Sequence, residues 1–153
     1  MNQNVTFRAY QETDYSDLKD MIFALAAEDI DPSEKGIAMS EAKIQSTVLR
    51  GITHPGQLRI KIFECNETIV GYALLTFYWS NEYHGVVAIL DELYVKPEHR
   101  NQGVSTQFIN HLSENKEYSI IQLEVFKENQ KALKLYQRMG FKIVDRLFMN
   151  KEL

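Results

Sequence analysis

The sequence predicts a mixed α/β (α+β) fold, in which helices cover both faces of a central mixed β-sheet. The predicted order is a strand, two helices, three strands, a helix, a strand, a helix, and one or two final strands. The three middle strands are joined by connections too short for parallel crossovers, so they form an antiparallel meander. Helices on both faces of a mixed sheet are the natural packing for this order of elements.

A change of periodicity marks the first strand and the first helix. Residues 5–10 alternate between apolar and polar side chains, which is typical of a strand. Thr13 is a suitable N-cap for the helix that follows. That helix is predicted from apolar residues at positions i, i+3, i+4 and i+7, namely Leu18, Met21, Ile22 and Leu25.

A second, shorter helix is predicted from about Glu41 to Arg50. Ser40 can cap its first turn, and Gly51 can end it. The strands of the meander follow at residues 58–62, 68–79 and 86–95.

The last third of the chain continues with alternating helices and strands. One helix follows residues 98–103, and residues 118–126 form the next strand. Asn129 can cap the last helix and Gly140 can end it. Residues 141–153 are predicted to close the chain as one or two strands.

Length and composition limit the possible functions. The 153 residues fit one domain, residues 1–153, with 44% hydrophobic and 25% charged residues. A net charge of -4 argues against a nucleic-acid partner. No apolar run approaches the roughly 20 residues that span a bilayer, so no membrane partner is expected. A lone cysteine, Cys65, and an amino terminus unlike a signal peptide favour a cytoplasmic protein.

Residues 98–108, EHRNQGVSTQF, have the features of a phosphate-binding turn between a strand and a helix. The first turn of a helix leaves backbone N–H groups without intrahelical partners and carries partial positive charge. Gly103 lets a phosphate approach the main chain closely, and Arg100 adds a permanent cation. In the alternative reading, Gly103 only starts the helix and Arg100 is solvated; the loop alone leaves both open.

Two segments together resemble the GCN5-related N-acetyltransferases, the GNAT family. The family's cofactor motif, Gln/Arg-x-x-Gly-x-Gly/Ala, is matched by Arg100, Gly103 and Ser105. Its second segment, an Asn followed by a Tyr and then Gly-Phe, is matched by NQKALKLYQRMGF, residues 129–141. The resemblance implies a splayed sheet and acetyl transfer from acetyl-CoA to a primary amine. Asn101 and Ser105 depart from the motif, since glycine is frequent at the first position and Gly or Ala at the second.

The resemblance also implies which residues bind acetyl-CoA. The strand before the loop would align the pantetheine arm, and the amides of the loop would bind the pyrophosphate. The implied residues are Leu93, Tyr94, Val95, Arg100, Asn101, Gln102, Gly103, Val104, Ser105, Thr106, Asn129, Ala132 and Tyr136. The four histidines show no metal-ligand spacing, so no metal is expected.

Acetyl transfer to an amine needs a proton acceptor and a proton donor. Holding a lysine-like amine neutral at pH 7 costs about 4.6 kcal/mol. Asp91 and Glu92 are the candidate acceptors; strict alternation puts them on opposite faces, unless a bulge re-aims the strand. The resemblance favours Asp91. It makes Tyr136 the donor to the coenzyme thiolate, whereas its apolar neighbours on the helix would also fit a core tyrosine.

The acceptor is the least defined part of the sequence. The resemblance places the region between the first two helices, and the turn between the middle strands, beside the acceptor. Glu28, Asp29 and Glu82 could attract a small cationic amine, and Trp79 could add a cation–π contact. Solvated acidic loops are the alternative. Polyamines, aminoglycosides, amino acids and protein amines stay open, as do a homodimer and a non-catalytic acyl-CoA-binding module.

Overall fold

Five strands form one sheet in chain order. The computed structural model of the protein describes residues 4–28 and 38–153. The strands are β1 (Thr6–Ala9), β2 (Leu58–Cys65), β3 (Thr68–Ser80), β4 (Gly85–Val95) and β5 (Ile120–Leu123). Strands β1 to β4 are antiparallel, and β5 lies parallel to β4. The predicted meander and the mixed sheet are therefore confirmed.

Four α-helices accompany the sheet: α1 (Tyr15–Glu28), α2 (Glu41–Thr53), α3 (Val104–Ser113) and α4 (Gln130–Arg138). Helices α1 and α2 pack on one face, and α3 packs on the other. This confirms the prediction of helices on both faces. Within the described ranges, every helix is too short or too polar to cross a membrane.

Each face of the sheet has its own hydrophobic core. Leu18 of α1 and Ile44 of α2 pack against Ile62 and Tyr72 on the first face. On the second face, the α3 residue Phe108 packs against the core of the sheet, with its ring centroid 4.6 Å from that of the β2 residue Phe63. Because side chains on both faces are buried, β3 and β4 have nearly continuous apolar sequences.

The start of α1 differs from the sequence prediction. A 3-10 turn, Glu12–Asp14, precedes the helix, so Thr13 is not its N-cap. Asp14 fixes this turn, since its carboxylate accepts the Gln11 N–H at 2.8 Å. The same carboxylate accepts two hydrogen bonds from Arg8, at 2.7 and 2.9 Å, and its side chain is only 4% exposed. The Arg8 contacts lower the pKa of Asp14 below its ordinary value.

Replacing Asp14 with asparagine should lower the free energy of unfolding by about 2 kcal/mol at pH 7, because Arg8 loses a charged two-point partner. Since the folded pKa is depressed, this stabilisation is present above the unfolded value of about 3.9 and is lost as pH falls through the folded value. Urea unfolding of wild type and variant at pH 7 and pH 3 measures the effect, and the gap should shrink at pH 3. Asp20→Asn, at an exposed position of α1, is the control. Equal losses in both variants would contradict the assignment.

Helix α2 is longer than predicted. The Ser40 hydroxyl accepts the Lys43 N–H at 3.3 Å, which confirms the predicted cap. The helix then continues through Gly51 to Thr53, so the prediction that Gly51 ends it is wrong. A Cβ at Gly51 would lie 3.1 Å from Leu58, so this glycine lets α2 approach β2 closely.

The carboxy-terminal prediction is correct for α4 and wrong after it. Asn129 caps α4 by accepting the Ala132 N–H at 3.2 Å, and Gly140, with φ of 92°, follows its end. Residues 141–153 form no strand, and apolar side chains such as Leu147 and Phe148 are exposed. Strand propensity needs a paired neighbour, and no described strand pairs with this segment. The preceding strand β5 is also shorter than the predicted 118–126.

Candidate active site

The loop between β4 and α3, residues 96–103, has the backbone geometry of an anion site. Asn101 and Gly103 have φ of 61° and 80°, in the left-handed region. Asparagine tolerates this region better than most residues, which explains how Asn101 can replace a glycine. Gly103 is the N-cap of α3, so the amides of the first turn face the end of this loop without intrahelical partners.

Arg100 turns away from the loop amides toward β4 and α1. Its Nε donates to the Val95 carbonyl at 2.8 Å, and one terminal nitrogen lies 2.8 Å from the Glu28 carboxylate. The guanidinium also lies 5.3 Å from the ring centroid of Tyr94. The Glu28 carboxylate therefore neutralises the charge of Arg100, and Arg100 supports the loop through its contact with the end of β4.

Helix α4 reaches the same loop from the other side. The Lys131 ammonium donates to the Asn101 side-chain oxygen at 2.8 Å. This contact places the predicted residues Asn129 and Ala132, in and beside the first turn of α4, next to the β4–α3 loop. The two sequence segments that carried the resemblance are thus brought together in space.

A β-bulge interrupts β4 at Asp91. Leu74 of β3 pairs with Glu92 and Leu75 pairs with Leu90, so Asp91 is the extra residue. On its other edge, β4 pairs with β5 only as far as Leu90. The backbone of residues 91–95 therefore has no partner on the β5 side within the described strands. The pairing of β4 with β5 therefore ends where the bulge begins.

The bulge interrupts the alternation of β4 at the candidate carboxylates. Leu90 and Leu93 both contribute to the core beneath α3, although strict alternation would separate them. Glu92 points to the α1–α2 side, where it lines a pocket. Asp91 is the extra residue of the bulge, so its face does not follow from the alternation, and the opposite-face arrangement stays a prediction.

Glu92 borders a small pocket beneath α1 and α2. Its carboxylate accepts the Tyr72 hydroxyl at 2.6 Å. The pocket has a volume of about 20 Å³, which is room for about one water molecule. Thr47 joins Tyr72 and Glu92 in its lining, among apolar side chains such as Ile44. The pocket can therefore hold a water molecule beside the Glu92 carboxylate and the Tyr72 hydroxyl.

Asp91 has a different environment from Glu92. The side chain of Asp91 reaches solvent. The surrounding protein nevertheless desolvates its carboxyl, which raises the pKa of that group above the ordinary value. A raised pKa makes a carboxylate a better proton acceptor. Asp91 is thus accessible and more basic than a fully solvated aspartate.

Tyr136 lies on the half-buried stripe of α4 with Ala132 and Met139. Its ring packs against Phe141 edge to face, with centroids 5.7 Å apart. Helix α4 contacts the β4–α3 loop through Lys131, in the turn before Tyr136. The role of Tyr136 as proton donor stays a prediction, and its contact with Phe141 also fits a packed tyrosine.

The acidic residues predicted for the acceptor are not brought together. Glu28 pairs with Arg100 near the end of β4, whereas Glu82 lies in the turn before β4 and pairs with Arg146 at 3.3 Å. The length of β4, about 30 Å, separates the two within one chain. Trp79 is 64% exposed near Glu82. Asp29 lies outside the described residues.

Three further residues, outside the predicted catalytic and cofactor-binding set, contact or adjoin the residues of the site. Tyr72 binds Glu92 from the neighbouring strand, and Lys131 contacts Asn101. Lys96, at the start of the β4–α3 loop, pairs with Asp17 of α1 at 3.0 Å. The pairing of β3 with β4 would have identified Tyr72 as a neighbour of Glu92, but the bulge shifts the register between these two strands. The two lysines show no local pattern that separates them from solvated lysines.

Comparisons with known proteins agree with this arrangement. The model of the Acetyltransferase (GNAT) family matches residues 21–141. A thialysine N-epsilon-acetyltransferase from Mus musculus is 37% identical over 75 residues, which cover 47% of this chain and 44% of that protein. The Bos taurus protein of the same name is 36% identical over 75 residues. The chain thus matches less than half the length of these curated relatives.

Solved structures share the fold over almost the whole chain. A possible acetyltransferase from Clostridium difficile 630 has a TM-score of 0.81 and 18% identity, covering 97% of each chain. AAC(6')-Iy in complex with the bisubstrate analog CoA-S-monomethyl-acetylneamine has a TM-score of 0.77 and 17% identity, covering 98% of this chain and 99% of that one. With the family match over residues 21–141, the loop and the fold place this chain in the GNAT acetyltransferase family.

Proposed function

We propose that this protein is an acetyl-CoA-dependent N-acetyltransferase that acetylates a small, cationic primary amine by direct attack in a ternary complex. The observation that carries this proposal is the juxtaposition of three features. The left-handed β4–α3 loop meets the first turn of α3, the β4 edge at residues 91–95 is open, and a bulged carboxylate lies at the start of that edge.

The fit to acetyl-CoA follows from backbone geometry. Amides of residues 101–106 bind the pyrophosphate, since the left-handed Gly103 leaves them accessible at a helix N-terminus. The open edge of Leu93 to Val95 pairs with the amide groups of the pantetheine arm as a further strand would. Asn129 and Ala132 border the same channel from α4. When bound, acetyl-CoA supplies the activated acetyl thioester.

The residues of the cleft divide the proton transfers between them. The neutral amine nitrogen attacks the thioester carbonyl, and the C–S bond breaks as the new C–N bond forms. Asp91 accepts the proton that the amine loses. Tyr136 gives its phenol proton to the departing thiolate and is reprotonated from solvent. The products are the N-acetylamine and free coenzyme A, so atoms and charges balance.

The amine class is supported by the charge of the acceptor side. Asp91 and Glu92 are adjacent carboxylates at the bulge of β4, which favours a cationic acceptor. Relatives named for thialysine, and a fold neighbour bound to an acetylneamine analogue, act on or bind small amines.

We further propose that residues 1–153 form one domain of a cytoplasmic enzyme without nucleic-acid or membrane partners. The net charge of -4 supports this assignment. A homodimer would cover the exposed apolar side chains of residues 141–153 and Trp79.

Release of the coenzyme thiol from acetyl-CoA tests the proposal. The wild-type protein is incubated with acetyl-CoA and, in turn, thialysine, lysine, polyamines and aminoglycosides. We expect amine-dependent thiol release, with the N-acetylamine identified by mass spectrometry. Binding of acetyl-CoA without release for any amine, including protein amines, would contradict an enzyme and favour a non-catalytic acyl-CoA-binding module.

A further inference from the structure

We propose that Lys131, rather than Arg100, is the cation that binds the pyrophosphate of the coenzyme. This assignment rests on the proposed function, because it needs a coenzyme A ligand at the β4–α3 loop. The family motif alone would assign that charge to Arg100, so the contacts of the two side chains decide between them.

Arg100 is committed elsewhere. Its Nε is bonded to the Val95 carbonyl and its terminal nitrogen to Glu28, both at 2.8 Å. The ring of Tyr94 lies against the guanidinium, 5.3 Å from the centroid. Turning toward the loop amides would break three contacts, and the Glu28 carboxylate already compensates the charge. Arg100 therefore positions the loop and contributes little net charge to its outer side.

Lys131 contacts the loop from α4. Its ammonium is 2.8 Å from the side-chain oxygen of Asn101, the residue with φ of 61°. Asn101 is neutral, so the contact fixes the ammonium without compensating its charge. An ammonium has three N–H donors, and Asn101 takes one of them. Two donors can then turn to phosphate oxygens while Asn101 still holds the third.

The geometry gives the pyrophosphate two kinds of donor. The first-turn amides of α3 lie on one side, as neutral dipoles, and Lys131 lies on the other, as a point charge of the kind that binds phosphate. Lys131 is the second residue of α4 and is exposed. It can therefore bind a phosphate without its charge being buried unpaired when the site is empty. Binding of the coenzyme would thereby join α4 to the β4–α3 loop.

Calorimetric titration of coenzyme A and of dephospho-coenzyme A, which lacks only the 3′-phosphate, tests the assignment. Lys131→Met should weaken both ligands alike, by about tenfold, the scale of a lost hydrogen bond to a charged group. Lys131→Arg retains the charge and should restore most of the affinity. Lys134→Met, an exposed lysine one turn further along α4, is the matched control and should stay within about twofold of wild type.

Each other outcome has a defined meaning. If wild type binds coenzyme A and Lys131→Met behaves like Lys134→Met, the inference fails while the proposed function stands. A loss confined to coenzyme A would assign Lys131 to the 3′-phosphate and overturn the pyrophosphate assignment. Failure of Lys131→Arg to restore affinity would show a packing role instead of a charge role. Failure of the wild type to bind either ligand would contradict the proposed function itself.

Discussion

Replacing Tyr136 with phenylalanine should lower kcat by about 100-fold, the lower end of the effect of a positioned acid, and change the Kd for acetyl-CoA little. The thiolate that leaves has a pKa near 8.5, and a phenol near 10 can still protonate it when held beside the sulfur. Phenylalanine keeps the edge-to-face contact with Phe141, so the fold should persist. Steady-state kinetics with the best amine from the panel, together with calorimetric titration of acetyl-CoA, measure both quantities.

The control for this change is Tyr78→Phe. Tyr78 is 45% exposed on β3 and donates its hydroxyl to Gln122 at 3.2 Å, outside the proposed proton path. Its loss should leave kcat within about twofold of wild type, as for most exposed substitutions. If Tyr136→Phe retained the wild-type kcat across the pH range, Tyr136 would be only a packed tyrosine.

Replacing Asp91 with asparagine should lower kcat/KM for the amine by about 100-fold and remove the acidic limb of its pH profile. In the wild type, kcat/KM should fall as pH decreases through the folded pKa of Asp91, because the protonated carboxyl accepts no further proton. Desolvation raises that pKa, so this limb lies at higher pH than it would for a solvated aspartate. Kinetics from acidic to neutral pH, at saturating acetyl-CoA, measure both effects.

Glu92→Gln separates the roles of the two carboxylates. Glu92 is held by Tyr72 in the pocket, where it can orient the cationic amine. We expect this variant to raise KM for the amine while the acidic limb persists. The opposite pattern, with the limb lost in Glu92→Gln and kept in Asp91→Asn, would make Glu92 the base and overturn the proposed division.

Local signals in the sequence predicted two of the three N-caps and the loop correctly. Ser40 and Asn129 each accept a backbone N–H three residues away, so nearby sequence suffices to predict them. The left-handed Gly103 is likewise a property of its own short segment. The element order, with helices on both faces of a mixed sheet, followed from the periodicity of each segment.

The features of the candidate active site that depend on residues distant in the sequence could not be predicted. The bulge at Asp91 exists because β4 must pair with Leu74 and Leu75, and no pattern within β4 marks the extra residue. Whether residues 141–153 form a strand depends on pairing with another strand rather than on their apolar character. The commitment of Arg100 to Glu28 joins residues 72 positions apart, so the motif predicted the residue but not its contacts.

The bulge also makes β4 tolerant of a change in chain length that strands rarely accept. Losing one residue from a strand normally exchanges its two faces and exposes the core. Without Asp91, Leu90 would be followed directly by Glu92, and Leu90, Glu92 and Leu93 would alternate regularly with their present faces and partners unchanged. The packing of the sheet therefore places no demand on residue 91. Insertion of a single residue into an ordinary strand is therefore a sufficient evolutionary route to the bulge, and its reversal would restore regular pairing with β3.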